Sequence, residues 1–258
     1  MQYDTLTTDA TDGIGLITLN RPEVMNALNK QMRAELTHAL KDIAARTRVV
    51  VLTGAGRAFC SGQDLGDGGN AAQIDLERTL REEYEPMLRA IYDAPVPVIA
   101  AVNGTAAGAG ANLALAADVV IATKSASFIQ AFTRIGLIPD AGGTWFLPRQ
   151  IGFARAMGAM LFADKVSAEQ AASWGMIWDA VEDDDFEANW RARATALASG
   201  PTVAYANIRK ALRQSLANPL DAQLALEAQL QDEAGKTRDF QEGVLAFLEK
   251  RPPNFEGR

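Results

Sequence analysis

The chain has 258 residues, 48% of them apolar, with one Cys, one His and a formal net charge of −7. A lone Cys60 excludes an internal disulfide framework, and one Cys with one His argues against a Cys/His zinc site. The acidic balance, with no Lys/Arg run, speaks against a nucleic-acid or anionic-membrane surface. No apolar run reaches the ~18 residues of a membrane span, and residues 1–11 are polar rather than signal-like. The expectation is a globular protein of a reducing, cytoplasmic compartment.

Residues 15–20 (GLITLN) form a short apolar run stopped by Arg21-Pro22 and read as a strand. Met32, Leu36, Leu40 and Ile43 recur at helical spacing, so 29–46 reads as a helix with Asn29 as its cap. Residues 49–53 (VVVLT) and 98–102 (VIAAV) are continuous and apolar, the pattern of parallel strands buried on both faces. Residues 66–73 are polar and glycine-rich, hence a loop, and 77–92 is helical until Pro95 and Pro97. Residues 108–117 read as a small-residue helix packed on the sheet, and 119–122 as another strand. Beyond Gly143 helices dominate: 147–162, a short one opened by the capping box Ser167…Gln170 and ended at Gly175, then 186–199, 202–216, 220–234 and 239–249. The layout is α/β, with 1–200 as the core domain and 201–258 as a helical region.

Twelve of the 21 glycines fall between Gly54 and Gly143, where tight turns or close backbone approach are expected. Four segments in that order and spacing resemble the crotonase (enoyl-CoA hydratase/isomerase) superfamily across essentially the whole chain. They are LNRP at 19–22 with NAL at 26–28, GRAFCSGQDL at 56–65, VNGTAAGAGAN at 102–112, and GLIPDAGGT at 136–144. The resemblance implies a crotonase-like spiral of ββα units with a C-terminal helical trimerisation region. It also implies an acyl-CoA substrate with coenzyme A as part of it, no tightly bound cofactor, and a homotrimer or dimer of trimers. Within the superfamily, residues 136–149, 168–178 and 242–251 are most similar to the branch that isomerises 1,2-epoxyphenylacetyl-CoA in phenylacetate catabolism. That branch implies ring-epoxide to oxepin isomerisation and a double-bond shift on dehydroadipyl-CoA.

Thioester chemistry in this superfamily passes through an enolate-like oxyanion, which needs two preorganised donors. By motif position these are the N–H groups of Gln63 and Ala109; Gly108-Ala-Gly110 also suits close helix–sheet packing. The two hydratase glutamates align with Asn112 and Phe132, neither of which can act as a base. Asp140 is the carboxylate that remains, and one carboxylate suffices to shuttle a proton between carbons. An apolar surround of Phe132, Ile138 and Trp145 is expected to raise its pKa. Taken bare, Pro-Asp-x-Gly favours a turn in which Asp140 caps the Gly142 and Gly143 amides; the missing glutamates reverse that preference.

Ala27, Ala58, Leu65 and Gly108 are placed by the resemblance along the acyl-CoA path. Asp64 follows the first oxyanion donor and is expected to serve turn hydrogen bonds. Phe132 and Trp145 either line the acyl pocket or fill the core. Arg21 and Lys250 either meet CoA phosphates or face solvent. His38 is expected on the exposed face of its helix, and Cys60 in the core. Hydration of an enoyl-CoA, fatty-acid-type Δ3-Δ2 or dienoyl-CoA isomerisation, and a catalytically silent binding subunit are the competing readings.

Overall fold

Long apolar runs form a central sheet, and short three-residue strands peel off it into a second one. The computed structural model describes residues 2–66 and 75–258; apart from Gly66, the loop expected at 66–73 lies outside the described residues. The strands are β1 (Leu6–Thr11), β2 (Ile14–Leu19), β3 (Val49–Gly54), β4 (Ala58–Cys60), β5 (Val98–Val102), β6 (Thr105–Ala107), β7 (Val119–Thr123), β8 (Ser127–Ile129), β9 (Lys165–Ser167) and β10 (Asp179–Val181). The larger sheet has the order β1-β2-β3-β5-β7-β10 and is parallel apart from β1. The smaller has the order β4-β6-β8-β9, with only β9 antiparallel. Each of β3, β5 and β7 is followed within a few residues by its partner in the small sheet, so the chain climbs as repeated ββα turns. Every residue of β5 is buried, as expected of a strand covered on both faces.

The helices are α1 (Lys30–Ala44), α2 (Leu76–Thr79), α3 (Glu85–Tyr92), α4 (Ala109–Leu115), α5 (Gly143–Ile151), α6 (Phe153–Phe162), α7 (Ala168–Trp174), α8 (Phe186–Ala198), α9 (Thr202–Ser215), α10 (Leu220–Gly235) and α11 (Arg238–Glu249). Asn29 caps α1 by accepting from the Met32 amide at 2.8 Å, and Met32, Leu36, Leu40 and Ile43 are buried as the spacing predicts. Ser167 caps α7 through the Gln170 amide at 3.2 Å. His38 is exposed, bonded to the Tyr3 hydroxyl, and Cys60 is fully buried.

Two expectations change. The single helix over 147–162 is two helices broken at Gly152; the first begins earlier, at Gly143, and carries Pro148 inside it. The helix over 77–92 contains a π turn, Leu80–Tyr84, between α2 and α3. An apolar repeat reports the buried face but is blind to one extra residue in a turn.

Candidate active site

Two glycines bring the proposed oxyanion segments together. A Cβ on Gly62 would stand 2.8 Å from the Ala107 carbonyl oxygen and 3.4 Å from the Ala109 nitrogen, so only hydrogen fits between the end of β4 and the start of α4. Gly108 has φ +53° and ψ −128°, a conformation that side-chain-bearing L residues avoid, and it turns the chain so that Ala109 begins the helix. Leu28 spans the first segment: its amide donates to the Gly62 carbonyl, and its carbonyl accepts from the Asp64 amide. The Gln63 amide is passed over by this bridge, and the Ala109 amide is a first-turn helix donor. Among the described residues neither N–H has an acceptor.

Asp140 sits at the end of the next segment, in a turn that other groups hold. The Asn112 side chain, fully buried on α4, donates from Nδ2 to the Asp140 main-chain oxygen at 2.8 Å and accepts at Oδ1 from Gln130 Nε2 at 2.8 Å. The Gly143 amide donates to the same carbonyl at 2.9 Å. Ala141 follows in the left-handed region at φ 48°. The turn is therefore made by the Asp140 backbone, and its carboxylate caps neither glycine amide. Oδ1 is buried with no hydrogen-bond partner. Burial pushes the Asp140 carboxyl up to about 6, against a small opposing pull from its own backbone N–H.

The carboxylate opens on a cavity of about 450 Å³. Its wall is mostly aromatic and aliphatic, from Leu80, Tyr84, Leu88, Tyr92, Trp145 and Phe146, with Glu85 and Arg89 also on it. Trp145 packs edge-on against both Tyr92 and Phe146, at centroid distances of 5.8 and 5.0 Å. Trp145 thus lines the cavity. Phe132 is not among the lining residues: it is 6% exposed, with its Cζ 3.8 Å from where a Gly108 Cβ would stand. Ile138 also departs from expectation, being 79% exposed and absent from the cavity lining. The apolar surround of Asp140 comes instead from the helical stretch 80–92 and from α5. Residue spacing gives no sign of that, because Tyr84, Leu88 and Tyr92 read as an ordinary apolar helix face.

Gln63 and Ala109 are not among the residues lining this cavity, and the remaining candidates also fall outside it. Asp64 binds Arg21 Nη1 through Oδ2 at 2.8 Å and the Gly66 amide through Oδ1 at 3.0 Å, the structural role expected of it. Arg21 also donates to the Ala27 carbonyl at 2.7 Å, so its guanidinium is committed internally. Ala27 and Ala58 are buried, the latter with its carbonyl bound by Asn26 Nδ2, and Leu65 is 59% exposed. Burial pushes the Cys60 thiol up to about 12, which makes it inert packing. No helix among the described residues is long and apolar enough to cross a membrane.

Comparison with known proteins agrees on the family and divides between hydratase and isomerase names. The sequence profile of the enoyl-CoA hydratase/isomerase family matches residues 9–258. A Rhodobacter capsulatus protein named "Probable enoyl-CoA hydratase" is 66% identical over 258 residues, covering 100% of both chains. The Escherichia coli 1,2-epoxyphenylacetyl-CoA isomerase is 47% identical over 251 residues, covering 95% of this chain and 96% of its own. The crystal structure of a Bacillus anthracis enoyl-CoA hydratase superposes with a TM-score of 0.91 at 35% identity, covering 99% of this chain and 100% of that one.

Proposed function

The chain belongs to the enoyl-CoA hydratase/isomerase family and has its crotonase fold, and within that family we propose that it is an acyl-CoA isomerase using Asp140 as acid and base. The observation that carries this reading is the carboxylate itself. It is unpaired, raised toward neutrality by burial, and set in the cavity wall, while Asn112 and Phe132 stand where a hydratase pattern needs glutamates. Asp140 takes a proton from a carbon next to or conjugated with the thioester. The enolate charge collects on the thioester oxygen, where the free amides of Gln63 and Ala109 receive it. Asp140 then returns the proton at another carbon, so nothing is gained or lost.

For the acyl group, the aromatic wall of Tyr92, Trp145 and Phe146 favours a ring over a thin straight chain, because flat faces pack with offset and edge-on geometry. Together with the isomerase relative, this supports 1,2-epoxyphenylacetyl-CoA to oxepin-CoA conversion, followed by the double-bond shift on dehydroadipyl-CoA, in phenylacetate catabolism. Coenzyme A enters as part of the substrate, along Ala27, Ala58, Asp64, Leu65 and Gly108, with no tightly bound cofactor. The helical region 201–258 assembles the chain into trimers or pairs of trimers in the cytoplasm.

The enoyl-CoA hydratase reading is favoured by the name of the 66% identical relative. One pair of assays separates the two. Asp140→Asn should still fold and bind the CoA ester but lose conversion of the ring epoxide and of a 3-enoyl-CoA. Near wild-type turnover by that variant, or rapid hydration of crotonyl-CoA by the unaltered protein, would refute the isomerase assignment.

A further inference from the structure

Two buried polar atoms of opposite hydrogen-bonding kind lack partners in residues lining one cavity. Asp140 Oδ1 is an acceptor and the Tyr84 hydroxyl a donor; both are shut off from solvent, Oδ1 has no hydrogen-bond partner, and the hydroxyl proton has no acceptor, because the nearby Arg33 can only donate toward the phenol oxygen. Folded proteins pair about nine in ten such groups, so an orphan of each kind in the wall of one cavity calls for a physical reason. Gln130 Oε1, also unpaired and next to Asn112, is another acceptor and offers a carboxylate nothing.

Tyr84 is held in place from several sides. It is 1% exposed and closes the π turn Leu80–Tyr84, a local widening of the helix of a kind that recurs at functional sites. The Arg33 guanidinium lies over its ring, 5.0 Å from the centroid. Arg33 is in turn fixed by Glu83 Oε2, at 2.6 and 3.0 Å, and by the Leu28 carbonyl. Burial keeps the phenol protonated; Arg33 pulls the other way, and the Asp140 charge pushes it back up. The other ionisable groups on the cavity wall are Glu85, Arg89 and Tyr92, while the fully buried Cys60 stays a thiol.

We infer that Tyr84 is the positioning residue of Asp140: in the working enzyme its hydroxyl donates to Oδ1, and the carboxylate presents Oδ2 to the substrate carbon. The inference rests on Asp140 being the base. Tyr84 is clamped, so the adjustment falls to the terminal torsion of Asp140, which is broad and soft. The substrate proton goes to Oδ2 and returns from it, and the phenol keeps its own proton throughout. An orphan hydroxyl weakens the ligand-free fold, a cost tolerated where a site must be ready for charge.

The test is Tyr84→Phe, assayed on 3-hexenoyl-CoA by the absorbance of the conjugated thioester, with Asp140→Asn alongside. Turnover should fall about 10- to 100-fold with KM changed less than about threefold, because the thioester and its CoA are still held. The acid limb of the kcat profile, which reports the enzyme–substrate complex in which this bond forms, should move up by about one pH unit, as expected on losing a hydrogen bond to the ionised carboxylate. The melting temperature of the ligand-free protein should hold or rise. Unchanged kinetics, a loss proportional at every pH, or a melting temperature that falls with activity would each overturn the inference. If Asp140→Asn stays active, or the unaltered protein is inert toward both this ester and the ring epoxide, the base assignment fails first. If Asp140→Asn is dead while the Tyr84→Phe limb stays put, only the positioning role fails.

Discussion

The Asn112 carboxamide donates to the main-chain oxygen of Asp140 at 2.8 Å and so fastens the turn that carries this carboxylate. Asn112 is fully buried and joined on its other side to Gln130. Asn112→Asp keeps the shape but replaces the donor with an oxygen facing the carbonyl. It should destabilise the fold by about 1–3 kcal/mol, the cost of a buried acceptor left facing another acceptor. Thermal unfolding should show this as a drop of several degrees, and isomerase turnover should fall with it. A variant as stable and active as the parent would show that the link holds nothing.

Asp140 gives two linked pH predictions. As a base it must be ionised, so kcat/KM should fall below about pH 6, where burial has placed its pKa. Stability runs the other way. The folded carboxyl titrates above its ordinary value, so the protein carries no penalty from it at low pH. The penalty grows as pH rises from about 4 through 6 and is full above that. Asp140→Asn should therefore stabilise the ligand-free protein at pH 8, by about 1–2 kcal/mol once solvent screening is allowed for, and the gain should vanish toward pH 4. Urea unfolding at the two pH values measures it; equal gains at both would contradict the linkage.

Much of this was legible in residue order alone. Caps such as Asn29 and Ser167, the buried runs of β3 and β5, and the motif segments holding Gln63, Ala109 and Asp140 act locally, and local chemistry leaves a local trace. The surroundings of Asp140 do not. Tyr84, Leu88 and Tyr92 reach it from a helix some 50 residues upstream, and their spacing speaks only of an apolar face. Ile138 and Phe132 lie close in sequence to Asp140 yet are absent from the cavity lining, one exposed to solvent and one buried beside Gly108. β4, β6, β8 and β9 are three residues each, too short for any alternation to show.

Gly108→Ala separates conformation from space. An added Cβ meets only Phe132 Cζ at 3.8 Å, an ordinary contact, but φ +53° with ψ −128° is closed to alanine. The backbone must relax at a cost of about 1–3 kcal/mol, and the adjoining Ala109 amide moves with it. Turnover should fall about 10²- to 10³-fold, the usual effect of spoiling one oxyanion donor, while KM changes little. A large rise in KM with kcat preserved would place Gly108 in ground-state binding instead.

The C-terminal helices predict self-assembly. Leu212 on α9 with Leu216 just past its end, and Phe240, Val244, Phe247 and Leu248 on α11, recur at three- and four-residue intervals, and each is roughly half or more exposed. Apolar stripes of this size are costly in water, and each large side chain buried at a contact contributes about 1.5–3 kcal/mol. Light scattering after gel filtration should give a species of three or six chains. Leu212→Glu with Phe247→Glu should reduce it to single chains by setting unpaired charges where apolar contact is needed, with helical circular dichroism retained. A parent protein that already runs as one chain at micromolar concentration would remove the assembly role from 201–258.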